Sequence, residues 1–463
     1  MNHTYALEPS RADMVAMGEA ALDFINRFIE GLPHAPAGGS AHDLERVVKE
    51  VLAPPAEGGA RFETLLATFG RAAAPGLETA GPGYLAYIPG GGLPVAALAE
   101  WLANSVNRYT GFAATAPALV AMEHGVVRWL CREFGLPEGA GGLVTTGGSM
   151  ATLTAVVAAR HQRLGEVIER GTIYVSPYTH HCCAKAGAIA GIPASRVRKV
   201  PTTEDLRMDV AAARRMIEAD RAEGLRPFLV VGSAGTTDTG AIDPLGELGE
   251  LARGEDMWFH VDAAYGGFFQ LTARGRSRLA GIEAADSITL DPHKGLFLPY
   301  GTGMLLVRDP SALHAAYSGS GYVLQDIDGG AALPDYAELG PELTREFRGL
   351  RLWLPLHLHG VSAFRMALDE KLDLSEYVHR ELKREPRLEL PWTPQLSVVA
   401  FRGHGGDEGN RRLAEAINGS KRIFISSTRI RGEYFLRLCV LAFRTHFDRI
   451  EEAIAIVRRA ASI

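Results

Sequence analysis

His260-Val261-Asp262-Ala263-Ala264-Tyr265 and, a helix's length later, Asp291-Pro292-His293-Lys294 are the two stretches on which the fold turns. The apolar runs 257–261 and 287–290 lead into them, so each motif stands at the C-terminal end of a predicted strand. Further short apolar runs at 143–144, 173–175, 228–231 and 304–307 alternate with stretches of helical period. That alternation is the pattern of an α/β fold, a mainly parallel sheet wrapped by helices. Beyond about residue 345 the pattern changes to a long helical region, strands at 397–401, 423–426 and 435–441, and a closing amphipathic helix at 447–460. This predicts a smaller C-terminal α+β domain. At the other end, Met14, Met17, Leu22, Ile25, Phe28 and Ile29 recur at helical spacing until Gly31-Leu32-Pro33 stops the helix, leaving an apolar face that needs burial. The domain reading is 1–80 as a helical arm, 81–345 as the large domain and 346–463 as the small one.

Ligands of open α/β sheets bind outside the carboxyl ends of the strands, which sends Asp262 and Lys294 toward one crevice. A lysine and an acid at neighbouring strand ends form a structural ion pair as readily as a site, so the remaining parts decide. Thr145-Thr146-Gly147-Gly148-Ser149 lies between a strand and a helix, where glycines allow close backbone approach and free N–H groups receive a phosphate. Ser149 is placed to cap that helix and to donate to the anion. His180, just past the strand at 173–175, is placed to stack on a ring. Gly235-Thr236-Thr237 ends another strand and brings hydroxyls, and Asp243 either supports an imidazole or caps the helix that follows. An amine, an acid, a phosphate loop and a stacking ring are the requirements of pyridoxal 5'-phosphate (PLP): Lys294 for the Schiff base, Asp262 to keep the pyridine nitrogen protonated. The loop lacks the lysine of a P-loop and the glycine spacing of a dinucleotide fingerprint.

This set resembles the group II PLP-dependent amino-acid decarboxylases, and among them the aromatic-L-amino-acid decarboxylases. The resemblance runs from about Ala12 to the C-terminus and rests on His-Val-Asp-Ala-Ala-Tyr, Pro-His-Lys, the histidine motif, and Ser-Met-Ala-Thr-Leu after the glycines. It implies the aspartate-aminotransferase-like fold (fold type I) and decarboxylation of an L-amino acid, aromatic by the closest likeness, to an amine. It also implies a homodimer with shared active sites and the arm packed on the partner. Lys294 would then be the Schiff-base lysine, Asp262 the pyridine partner and His180 the stacking ring. Ala264 would lie against the other ring face, Thr237 near the ring hydroxyl, Gly148, Ser149 and His293 around the phosphate, and Asp243 in support. Tyr322, in the glycine-flanked stretch 318–325, matches the mobile-loop tyrosine that protonates the α-carbon, with Tyr317 as the alternative. A phenylalanine there goes with aldehyde synthases, so tyrosine favours the amine over the aldehyde. Tyr87, Ile88, Pro89, Thr110 and Phe112 form the expected substrate pocket. Asp291 stands where the family often has asparagine, and a carboxylate there must point away from the phosphate or be paired.

Composition narrows the partners. The 463 residues carry a formal charge of -6 with both signs interspersed, giving no electrostatic footprint for nucleic acid or membrane surface. Cys131, Cys182, Cys183 and Cys439 lack zinc-site spacing and are too few for a disulfide framework, so they read as buried free thiols. Cys182 and Cys183, being adjacent, are expected to point apart, and no metal is called for. With no apolar run of membrane-spanning length and no leader pattern, a cytoplasmic protein is expected.

Overall fold

The chain's short strands sort into two sheets, and which strands lie in which sheet sets where the polar loops gather. The computed structural model describes residues 7–39, 44–319 and 333–462. In chain order the strands are β1 (Tyr84–Leu85), β2 (Gly141–Thr145), β3 (Gly171–Val175), β4 (Val197–Lys199), β5 (Arg226–Ser233), β6 (Trp258–Asp262), β7 (Ser287–Leu290), β8 (Gly303–Val307), β9 (Leu388–Glu389), β10 (Val398–Gly403), β11 (Phe424–Ile430) and β12 (Glu433–Cys439).

Seven of them form one sheet in the order β2-β8-β7-β6-β5-β3-β4, parallel throughout except that β8 runs antiparallel to both neighbours. Every residue of β2, β3, β6, β7 and β8 is buried. Strands covered on both faces need continuous apolar runs rather than alternation, and that is how they are written in the sequence. The C-terminal sheet has the order β1-β11-β12-β10-β9. Tyr84 and Leu85 pair in parallel with Phe424 and Ile425, so the chain crosses to the C-terminal sheet before it enters the large one. The helix Gly349–Leu382 joins the two regions as two segments meeting at Gly360, whose φ of +73° breaks the helical path.

The edge of the large sheet is held from behind. Arg345 Nη2 bonds Glu123 Oε1 at 2.7 Å and the Val144 carbonyl at 3.0 Å, while the Val144 N–H donates to the same Glu123 oxygen at 3.2 Å. Both ionic side chains are buried, and a buried pair is tolerated where such added hydrogen bonds accompany it. At the N-terminus, Ser10 caps the helix Arg11–Gly31 and Asp13 completes a reciprocal capping box. That helix has no buried residue, and Met14, Leu22, Ile25 and Phe28 are exposed on it. Among the described residues, no helix is long and apolar enough to cross a membrane.

Candidate active site

Because β2, β3, β5, β6 and β7 run in one direction, the loops leaving their C-terminal ends share one edge of the sheet. They enclose a cavity of about 500 Å³. Its walls bring together Gly148, Ser149, His180, Thr237, Asp262, Ala264, His293, Lys294, Tyr87 and Ile88, all singled out in the sequence. Ser233, Thr236, Cys182, Tyr265 and Asp291 complete much of the lining.

Lys294 sits in the short helical turn Pro292–Gly295, and its Nζ lies 2.8 Å from Asp291 Oδ2. Burial by itself favours the neutral amine, but Asp291 first, then Asp262 and Cys182, outweigh it and hold the lysine above its usual pKa. Asp291 is thus paired, as a carboxylate at this place has to be. Its other oxygen, Oδ1, is buried with no partner among the described residues. Asp262, at the end of β6, accepts the Ala264 N–H at 3.2 Å. His180 Nδ1 accepts the Cys182 N–H at 3.3 Å, which leaves Nε2 to carry the proton of a neutral ring. The Cys182 thiol, against the opposing effect of burial and with help from Asp262, raises the ring's pKa. His293 Nδ1 lies 2.7 Å from the Thr302 carbonyl and so must donate to it; burial lowers this ring's pKa.

The 17-residue helix Gly148–Leu164 begins on the cavity wall. Its first N–H groups lack intrahelical acceptors, and its dipole places partial positive charge there. Close packing demands the glycines. A Cβ on Gly303 would come within 2.3 Å of the Gly147 backbone, and one on Gly148 would lie 2.9 Å from Asp291 Oδ2. The cap itself differs from the sequence reading. Gly147 is the N-cap and no side chain caps this helix, because Ser149 is already inside the first turn.

Other expected residues fall elsewhere. Asp243 does not line the cavity, nor does it cap the next helix. Its buried carboxylate accepts the N–H groups of Met208 at 2.7 Å and Ser233 at 2.8 Å, clamping the end of β5, and burial raises its pKa to about 6. It reaches the cavity wall through Ser233, whose N–H it holds. Pro89, Thr110 and Phe112 are also absent from the lining, and Thr110 is fully buried. Tyr317 turns away, its hydroxyl donating to the Thr154 carbonyl at 3.2 Å. Tyr322 lies outside the described residues. The cysteines bring a further correction: Cys182 and Cys183 do not diverge, since their Sγ atoms lie within 4.8 Å of each other and of an Asp262 oxygen. Cys182 was missed as a lining residue because residue type alone does not tell which way the first turn of the helix Cys182–Ile189 faces.

An amine, a carboxylate one strand away, an imidazole on the same cavity wall and an anion-binding helix end fit PLP as a donor set. The orphaned Asp291 oxygen and the helix start on the wall make a cavity suited to a polar guest. The fold and this set define a PLP enzyme of fold type I.

Comparison with known proteins narrows the class. Residues 51–404 match the family model described as pyridoxal-dependent decarboxylase conserved domain. An aromatic-L-amino-acid decarboxylase of Bacillus atrophaeus is 36% identical over 374 residues, 79% of this chain and 78% of that protein. A tyrosine decarboxylase of Oryza sativa subsp. japonica is 34% identical over 82% of this chain and 78% of its own length. The crystal structure of Oryza sativa TDC with PLP and tryptamine superposes with a TM-score of 0.93 at 25% identity, covering 98% of this chain and 99% of that one. The chain belongs to the pyridoxal-dependent decarboxylase family and is a PLP-dependent amino-acid decarboxylase.

Proposed function

We propose that the chain decarboxylates an aromatic L-amino acid to the corresponding amine and carbon dioxide. The observation that carries this is the cavity wall: Tyr87 and Ile88 line it, and among the described residues no arginine does. A substrate with an acidic side chain needs a fixed cation of that kind, whereas a ring needs apolar and aromatic surface. The similarity to aromatic-amino-acid decarboxylases supports the same reading.

The residues divide the work. Bound in the cavity, PLP supplies the electron sink for the pair left behind when carbon dioxide departs. Lys294 would hold the cofactor through its amine. Asp262 would keep the ring nitrogen protonated, His180 and Ala264 would pack against the ring, and Thr237 would offer its hydroxyl to it. The helix start at Gly148 and Ser149, with His293, takes the phosphate. Tyr322 delivers the proton to the α-carbon.

The working unit is a homodimer. The exposed apolar face of the helix Arg11–Gly31, with Leu65 and Phe69 on the third helix and Leu98, Trp101 and Leu102 on the fourth, is surface that a second copy covers. Thr110 and Phe112, which do not line their own cavity, serve the partner's pocket. Residues 1–80 act as the arm, 81–345 as the cofactor domain and 346–463 as the small domain. Four free, buried cysteines suit the cytoplasm.

The test is to incubate the purified protein and PLP with the common L-amino acids plus DOPA and identify products by mass spectrometry. Amines from aromatic substrates are expected. Amines formed only from acidic or aliphatic substrates, or aldehyde and peroxide as the main products, defeat the proposal. Tyr322→Phe should lose amine output and gain aldehyde.

A further inference from the structure

The helix Cys182–Ile189 opens with two thiols, and the fold turns both toward the end of β6. Cys182 Sγ, Cys183 Sγ and a carboxylate oxygen of Asp262 all lie within 4.8 Å of one another, and all three residues are buried. Among the described residues no other three His, Cys, Asp or Glu side chains come together in this way. Cys182 and Asp262 also line the main cavity, so an ion entering it meets two of the three ligands directly, with the buried Cys183 behind them.

Two thiolates and a carboxylate make a soft, threefold-negative donor set. Tetrahedral zinc or cadmium accepts such a set with one position left for water, whereas magnesium and calcium require oxygen ligands. Asp262 is the carboxylate assigned above to the pyridine nitrogen, and a dication held there repels the positive charge of a protonated ring that depends on the same carboxylate. We infer that the cofactor-free chain binds one thiophilic divalent cation through Cys182 Sγ, Cys183 Sγ and the Asp262 carboxylate, and that this cation and PLP exclude one another. Binding converts both thiols to thiolates and releases their protons to solvent. The exclusion rests on the proposed role of Asp262; the binding does not.

The experiment titrates Cd²⁺ into the full-length protein stripped of cofactor. The expected result is an ultraviolet thiolate-to-cadmium band saturating at about one ion per chain, accompanied by proton release. The band should vanish in C182A/C183A, in which Cys131 and Cys439 remain as internal controls. D262N should weaken binding at least about tenfold, since even groups one shell beyond the ligands cost that much. A measurement on the unaltered chain guards against misfolded variants: X-ray absorption of the zinc form should show two sulfur neighbours at about 2.3 Å. No band, a band surviving in C182A/C183A, or a sulfur-free zinc shell overturns the site. Preloading with PLP should suppress the band, and a full band on the loaded enzyme overturns the exclusion. If D262N instead keeps wild-type PLP affinity while losing Cd²⁺, the assignment of Asp262 to the cofactor fails and the metal site stands.

Discussion

At the carboxyl ends of β2 to β7 the chain buries charged and polar groups and gives most of them partners, while the helix Arg11–Gly31 keeps a repeating apolar face in solvent. The first region is costly to build and makes sense only if its groups act on something held between them. The second is surface left uncovered, which makes sense only if something else covers it. Function therefore concentrates where polar groups are buried, and assembly where apolar groups are exposed.

The sharpest way to break this contrast is at Lys294. Lys294→Ala should lower turnover by at least about 10³-fold, and borohydride should no longer fix PLP to the chain. An active, borohydride-reactive variant sinks the assignment. Behind the site, Glu123→Ala strands the Arg345 guanidinium in a buried place and should cost about 3–5 kcal/mol by denaturant unfolding. A loss below about 1 kcal/mol would mean that the pair is not what holds the β2 edge.

His260, under the site, probes the same buried polarity through pH. Its ring lies between Ser287 and Thr289, and burial lowers its pKa to about 4. The unfolded state therefore takes a proton first as pH falls. The stabilisation is complete above about 6.5 and is lost on descending through about 4, an effect on the order of 3 kcal/mol. Unfolding titrations from pH 7 to 4 should be flatter for His260→Gln than for the unaltered protein; equal slopes refute the account. The smallest effect belongs to the arm. Phe28→Glu should raise the dissociation constant of the proposed dimer by about 10-fold or more, read by sedimentation, with helix content unchanged. An unaltered sedimentation profile would show that this face is not covered by a second copy.

Much of the framework was legible because its signals are local. Buried parallel strands must be continuous apolar runs, so β3, β5, β6, β7 and β8 could be placed within a few residues. The two-residue β1 was not legible: Tyr84 and Leu85 are too short a run to show period, and their partners lie more than 300 positions away. Within the site, Lys294 and Asp262 could be picked out because a strand end determines where the next side chain goes. For Asp243 the sequence left support of the site and a helix cap both open; the cap is not formed, because two backbone N–H groups from different segments claim the carboxylate.

The sequence by itself determined the kind of chemistry. Amine, acid, imidazole and glycine loop are properties of residue type and of position relative to a strand, and both are written locally at Lys294, Asp262, His180 and Gly147 to Ser149. Only the tertiary structure decided that Lys294 pairs with Asp291, that Cys182 and Cys183 converge on Asp262, and that Thr110 and Phe112 do not line the cavity. The reason is geometric. Side-chain direction and long-range approach depend on how helices seat on the sheet, and no short stretch of chain carries that information.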